Sequence, residues 1–355
     1  MNQYIKGNLK KILKNRRLNK MKKIYDDRVQ NEFLNVDDHM PGEYEEDIKK
    51  YWKNFGVTLN TDYHKWYASR NGLEDPKYIP EDIFYLYIVP TFNKLEFAVA
   101  FADKAYYDLL FPEVKKPLTY IKNVNGFYFD DKFNPISKEK ALKICSNRSD
   151  KLIVKPTIES GGGKGIQLVE GNNISEIQNK LEKIFSTDAK NFIVQDFINQ
   201  HEMIGQLNST SVNTIRVFSF LREEGVTILG SHIRTGKINA FQDHFGTIFG
   251  INETGNLYDY GIKSHQGRRL YQNDLEVDIE GVYIPNFDKI INIIKAEHSK
   301  LAHFRLIAWD FAINYDEEPL LIEFNIKAPG INNHQLIDGP IFREYTDEVL
   351  TEVFK

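Results

Sequence analysis

Apolar residues recur along this chain with two different periods. Over residues 44–110 the pattern is helical and rich in aromatics: Tyr44, Ile48, Tyr51 and Phe55 fall on one helix face. Pro76, Pro80 and Pro90 then punctuate the chain. From Lys151 onward short strands take over. Residues 152–155 read as a strand, 161–165 as a glycine loop and 166–169 as a second strand. Ile174, Ile177, Leu181 and Ile184 make a helical stripe that ends before a strand at 192–198. Strands at 214–221 and 226–234 flank the turn Arg222-Glu223-Glu224-Gly225. A helix at 290–301 precedes a final pair of strands at 307–314 and 320–324. The pattern predicts an α+β protein with antiparallel hairpins and no internal repeat.

Composition narrows this picture. The 355 residues are enough for about two domains. Hydrophobic residues make up 41% and net charge is only −4, which excludes extensive disorder. A pI near 6.2 argues against a general nucleic-acid-binding surface. The single cysteine, Cys145, excludes an intramolecular disulfide framework and fits a reducing compartment. No apolar stretch follows the first basic residues, so no secretory signal is read and a cytoplasmic protein is expected. The longest near-apolar run, 95–102, is too short to span a bilayer. The first 23 residues hold nine Lys or Arg and no acid, with Ile5, Leu9, Ile12 and Leu13 at helical spacing. Such a basic amphipathic helix either docks onto an anionic membrane surface or acidic partner, or packs on the protein with its lysines in water.

The last hairpin carries the strongest chemical signal. A turn about Asp316-Glu317 would place Asp310 opposite Glu323, with Asn325 two residues on and therefore on the same face. Two carboxylates forced together among Phe, Trp, Ile and Leu repel each other, and a divalent cation removes that cost. Three hard oxygen donors suit Mg²⁺ and not Zn²⁺.

A second signal is Leu152-Ile153-Val154-Lys155-Pro156 leading to Gly161, Gly162, Gly163 and Gly165. Glycines let backbone N–H groups wrap an anion without Cβ clashes. The residue after Lys164 is Gly, so this is no P-loop, and strand follows the loop, so it is no dinucleotide fingerprint. A mobile flap over phosphates remains, against the alternative of a plain hairpin tip. Lys155, at the end of an apolar strand beside such a flap, is a candidate phosphate ligand. The strand that ends in Gln195-Asp196 can run into a hinge that meets an adenine edge.

These parts in this order resemble the ATP-grasp superfamily, and more closely the sugar-transfer-associated ATP-grasp family of bacterial polysaccharide gene clusters. The resemblance also rests on Tyr78-Ile79-Pro80-Glu81-Asp82, Ala102-Asp103-Lys104, Leu110-Phe111-Pro112 and Ser211-Val212-Asn213-Thr214-Ile215-Arg216-Val217. It runs from about residue 50 to the end. It implies two α+β subdomains gripping ATP, a central one at 104–198 and a C-terminal one with the metal site at 199–355; ahead of them the residue pattern gives a basic helix at 1–35 and a helical region at 36–103.

By the same resemblance Lys104 and Lys155 would bind ATP phosphates, and Gln195 and Phe197 would sit at the adenine hinge. Glu202, with His201 as a rival, would bind the ribose. Asp310, Glu323 and Asn325 would hold two Mg²⁺ ions, and Arg216 and Arg234 would face the transferred phosphoryl group. The implied reaction is ADP-forming ligation of a carboxylate to an amine on small or glycan-linked substrates. A kinase on the same fold and a non-catalytic ATP-binding module are the rivals. Two departures bear on the acceptor side: Phe245-Gly246-Thr247 stands where a Gly-Gly pair is common, and Lys327 follows the metal residues.

Overall fold

The computed structural model describes residues 16–148, 151–158, 163–171, 173–187, 190–236, 245–264, 266–271 and 277–355. Two antiparallel sheets organise them. The first contains β1 (Thr119–Val124), β2 (Phe127–Asp130), β3 (Pro135–Ile136), β4 (Leu152–Pro156), β5 (Gln167–Val169) and β6 (Phe192–Asp196), in the order β3-β2-β1-β6-β4-β5. The second contains β7 (Thr214–Arg222), β8 (Gly225–Gly236), β9 (Phe245–Ile251), β10 (Leu257–Lys263), β11 (Arg269–Tyr271), β12 (Leu306–Ile313) and β13 (Pro319–Asn325). Its order is β11-β10-β9-β8-β7-β12-β13.

The first sheet is half covered. Leu152, Val154 and Val194 turn to one face, where they bury Ala141 and Cys145 of the helix Lys138–Ser146 and Ile177, Leu181 and Phe185 of the helix Ile174–Ser186. Strand alternation sends Ile153, Lys155 and Gln195 to the other face. Ile153 and Gln195 are directly paired. The predicted stripe of the second helix holds at Ile177 and Leu181, but Ile174 lies exposed at its first turn.

The second sheet is covered on both faces. On one, Ile215, Val217, Ile307, Trp309 and Phe311 pack with Ile290 and Ile294 of the helix Phe287–His298. Trp309 anchors this side: its ring is stacked on Phe324, 5.6 Å between centroids, and its indole N–H donates to Ser219 Oγ at 2.8 Å. On the other face Phe218, Phe220, Leu306 and Ala308 pack with Tyr44, Ile48 and Trp52 of the helix Gly42–Lys53. The helical N-terminal region is thus a cover for the second sheet and shares its core. Trp52, fully buried, takes the inward place on that helix, while Tyr51 sits at the edge and bonds Asp347.

Residues 16–28 are helical, and the helix runs on through Val29–Phe33, which buries Val29 and Phe33 beside Trp66 and Tyr67. Ile5, Leu9, Ile12 and Leu13 lie outside the described residues. Among the described residues no helix is long and apolar enough to cross a membrane.

Candidate functional site

The β12–β13 hairpin pairs Asp310 with Glu323, as the residue pattern predicts. The route differs. The turn spans Asn314 to Glu318 with Glu317 in the left-handed region, so Ile313 faces Pro319 and Phe311 faces Leu321. That pairing is offset by one residue from the expected register. A bulge at Ile322 restores it, and so turns both carboxylates to one face. Phe111, Trp309 and Phe324 lock the opposite face of the hairpin in the core.

The pairing continues sideways across the second sheet. Asp310 on β12 is opposite Arg216 on β7, which is opposite His232 on β8. Directly opposed residues share a face, so one polar row runs Glu323, Asp310, Arg216, His232. Asp310 is buried, and Arg216 grips it at two points, Nε to Oδ1 2.7 Å and Nη2 to Oδ2 2.6 Å. Arg234 adds a contact to Oδ2 at 3.3 Å.

Glu323 Oε2 is ion-paired with Lys104 Nζ at 2.9 Å. Lys104 begins a short 3₁₀ turn, Lys104–Tyr106, capped by Asp103. Its backbone N–H donates to Thr157 O just beyond β4, which ties this lysine to the first sheet while its ammonium reaches the second.

A cavity lies between the two sheets. Lys104, Lys155, Gly163, Gln195 and Phe197 line it from the first sheet and its connections; Arg234, Asp310 and Glu323 line it from the second. Lys155 is buried, and burial together with the neighbouring Lys104 pushes its ammonium down to about 7. A phosphate placed there would restore the charge. Gln195 is fixed by a bond from its amide nitrogen to Thr119 Oγ1 at 2.8 Å. Gly163 and Gly165 both have positive φ, and a Cβ at Gly165 would meet Pro156 Cγ at 2.9 Å, so glycine is required at that bend. Gly161 and Gly162 lie outside the described residues.

Other predicted residues lie elsewhere. Glu202 opens the short helix Glu202–Gly205 and is exposed; neither it nor His201 lines the cavity. His201 instead faces Glu317 at 3.6 Å. Thr247 is held to Thr235 through its backbone, and Lys327 is exposed; neither lines the cavity.

The carboxylates suit a hard cation. Asn325 Nδ2 stands 3.3 Å from both Asp310 Oδ2 and Glu323 Oε1, so two acidic oxygens converge on one point. Rotating the amide by half a turn would present its oxygen there, because amide orientation follows the network around it. Among the described residues no three His, Cys, Asp or Glu side chains cluster as metal ligands. The donor set here is two carboxylates and an amide, an oxygen set of the kind Mg²⁺ takes.

The chain belongs to the sugar-transfer associated ATP-grasp family, whose model matches residues 87–350. Similar solved structures include the biotin carboxylase domain of Hydrogenobacter thermophilus 2-oxoglutarate carboxylase in complex with MgADP, at 12% identity and TM-score 0.40, covering 64% of this chain and 40% of that one. They also include the ATP-grasp ligase PsnB with a minimal precursor, at 12% identity and TM-score 0.40, covering 74% and 64%. A third is D-alanyl-alanine synthetase A from Vibrio cholerae, at 13% identity and TM-score 0.39, covering 74% and 65%. The chain thus spans from 40% to 65% of the lengths of these three proteins. The sequence matches no curated protein at a significant level.

Proposed function

We propose that this protein is an ATP-dependent, ADP-forming carboxylate–amine ligase that acts through an acyl phosphate in bacterial surface-polysaccharide biosynthesis. The observation that carries the reading is the single cavity that collects Lys104 and Lys155 from one sheet and Arg234, Asp310 and Glu323 from the other. Lysines on one side and a carboxylate pair on the other form the charge pattern that a polyphosphate bridged to cations requires.

In this reading Lys104 and Lys155 hold the phosphates, and Gln195 and Phe197 border the base. Asp310, Glu323 and Asn325 hold Mg²⁺, which when bound neutralises phosphate charge and orients the γ-phosphoryl group. A substrate carboxylate oxygen attacks the γ-phosphorus and ADP leaves. The amine nitrogen then attacks the acyl carbon, forming the amide and releasing phosphate and one proton. Arg234, which lines the cavity, and Arg216 next to it would add positive charge toward the transferred phosphoryl group while both hold Asp310 in place. The glycine segment after β4 would shield the acyl phosphate from water. A screen of sugar acids and amino acids, with amine acceptors, for stimulated ADP release tests the reading. A phosphorylated alcohol as product would favour a kinase, and ATP binding without turnover would favour a binding module.

A further inference from the structure

The two carboxylates of the hairpin are already matched by cations of the protein itself. Asp310 Oδ1 takes Arg216 Nε at 2.7 Å, and Oδ2 takes Arg216 Nη2 at 2.6 Å and Arg234 Nη2 at 3.3 Å. Glu323 Oε2 takes Lys104 Nζ at 2.9 Å, while Oε1 faces the Asn325 amide at 3.3 Å. A hard divalent cation needs these same oxygens as ligands. It would also arrive beside charges of its own sign, which repel it most where water is scarce.

The two carboxylates are held in different ways. Asp310 is buried, and Arg216 meets it from the adjacent strand of the same sheet. Both residues of that pair are fixed by strand register, and a fork gripping a buried carboxylate at two points is costly to open. Lys104 comes from outside the sheet. It opens the short turn Lys104–Tyr106, whose first N–H is bonded to Thr157 O beyond β4, so its backbone belongs with the first sheet. Its ammonium is a compact charge on a flexible stem, which turns to a new partner without losing a fixed geometry. Glu323 is partly exposed, so releasing it strands no buried charge.

Both residues line the first cavity together with Lys155. Lys104 pushes the Lys155 ammonium down and Glu323 pushes it up, so the three charges share one space. A polyphosphate placed there offers Lys104 several anionic oxygens in place of one carboxylate. Once the ammonium turns to them, Glu323 is open to a cation carried on the same phosphates.

We propose that Lys104 is the resident counter-ion of Glu323, which keeps metal off the carboxylate until a polyphosphate draws the ammonium away. The proposal rests on the reading of this cavity as an ATP and Mg²⁺ site. It adds an order of loading, in which metal enters with nucleotide and not before it. By linkage, nucleotide and metal raise each other's affinity by the same factor. Part of that factor belongs to the bond between metal and phosphate; the part due to Lys104 is what its removal deletes.

Mn²⁺ binding to the full chain, read from the electron paramagnetic resonance signal of the free ion, tests this with and without ADP. Lys104→Met keeps the length of the side chain and loses its charge. Without ADP it should bind Mn²⁺ at least about tenfold more tightly than the parent, although it binds ADP more weakly. Lys104→Arg restores a cation and should return Mn²⁺ binding to the weak parent level. Adding Glu323→Gln to Lys104→Met should erase the gain, which places it on that carboxylate. If Lys104 were only a phosphate ligand, Lys104→Met would weaken ADP and leave Mn²⁺ binding without ADP unchanged; that result, or a gain that survives Glu323→Gln, overturns the proposal. So does parent protein that binds Mn²⁺ as tightly without ADP as with it, a measurement that needs no variant. Failure of the parent to bind ADP, or to bind Mn²⁺ even with ADP present, overturns the nucleotide and metal reading itself and this inference with it.

Discussion

Arg216 and Asp310 are directly opposed on adjacent strands, and their side chains close a two-point ion pair with the carboxylate buried. Removing Arg216 strips the buried carboxylate of its two-point partner and leaves it Arg234 at 3.3 Å, a loss of up to about 3–5 kcal/mol. Arg216→Met should therefore lower the unfolding free energy of the nucleotide-free protein by about that amount, and Arg216→Lys by less, since charge is kept and the fork is lost. Urea denaturation measures both. A loss under about 1 kcal/mol for Arg216→Met would show that Asp310 is compensated by other groups.

Lys155 links nucleotide binding to protons. Its ammonium is pushed from the usual 10.5 to about 7 by burial and by Lys104. In that window the unfolded chain holds a proton that the folded chain releases. The contribution of Lys155 to the stability of the nucleotide-free protein therefore rises with pH from about 7 to 10.5. Phosphate binding favours the charged form, so ADP should take up protons at pH 8. Titration in two buffers of different ionisation enthalpy reads this uptake, and Lys155→Met should abolish it. Lys155→Ala should weaken ADP by about ten- to a hundredfold, as expected for a lost charged contact of roughly 1.5–3 kcal/mol. Equal affinity in the variant removes Lys155 from the phosphate site.

Glu323 sits beside Lys104 and Asn325 with its side chain partly exposed. Glu323→Gln keeps size and loses charge. It should leave the thermal transition close to the parent's, abolish turnover and weaken the Mg²⁺ dependence of ADP affinity. Near-parent ADP formation by the folded variant would sink the metal assignment.

The proposal that residues 1–23 contact an anionic membrane makes a separable prediction. Deleting them should spare catalysis in solution and weaken binding to phosphatidylserine vesicles, an effect that fades with salt, since each basic residue contributes on the order of 1 kcal/mol. The deletion must stop short of Arg28, which bonds the buried Glu81. Full-length protein that ignores such vesicles at low salt would refute the membrane contact.

The opposition of Asp310 and Glu323 could be read from residue order because strand pairing turns spacing into proximity. The five-residue turn and the bulge at Ile322 were invisible, since they cancel in the final register. Strands β1 to β3 and β9 to β11 carry no clean alternation and were not anticipated: Lys122 and Asn123 are buried in β1, and Phe127 lies exposed in β2. Glu202, which the resemblance implies as a ribose ligand, opens a short helix and does not line the cavity. The pairing of Arg28 with Glu81 gave no signal, since 53 residues separate them and only the packing of the N-terminal helices on the second sheet joins them.

The central claim is that a carboxylate is phosphorylated by ATP and then captured by an amine. Hydroxylamine, supplied as the acceptor together with ATP, Mg²⁺ and a carboxylate substrate from the screen, tests this step most directly. The account predicts ADP and a hydroxamate in equal amounts, both lost in Glu323→Gln. ADP released with a phosphate ester and no hydroxamate, or AMP released with pyrophosphate, would contradict it.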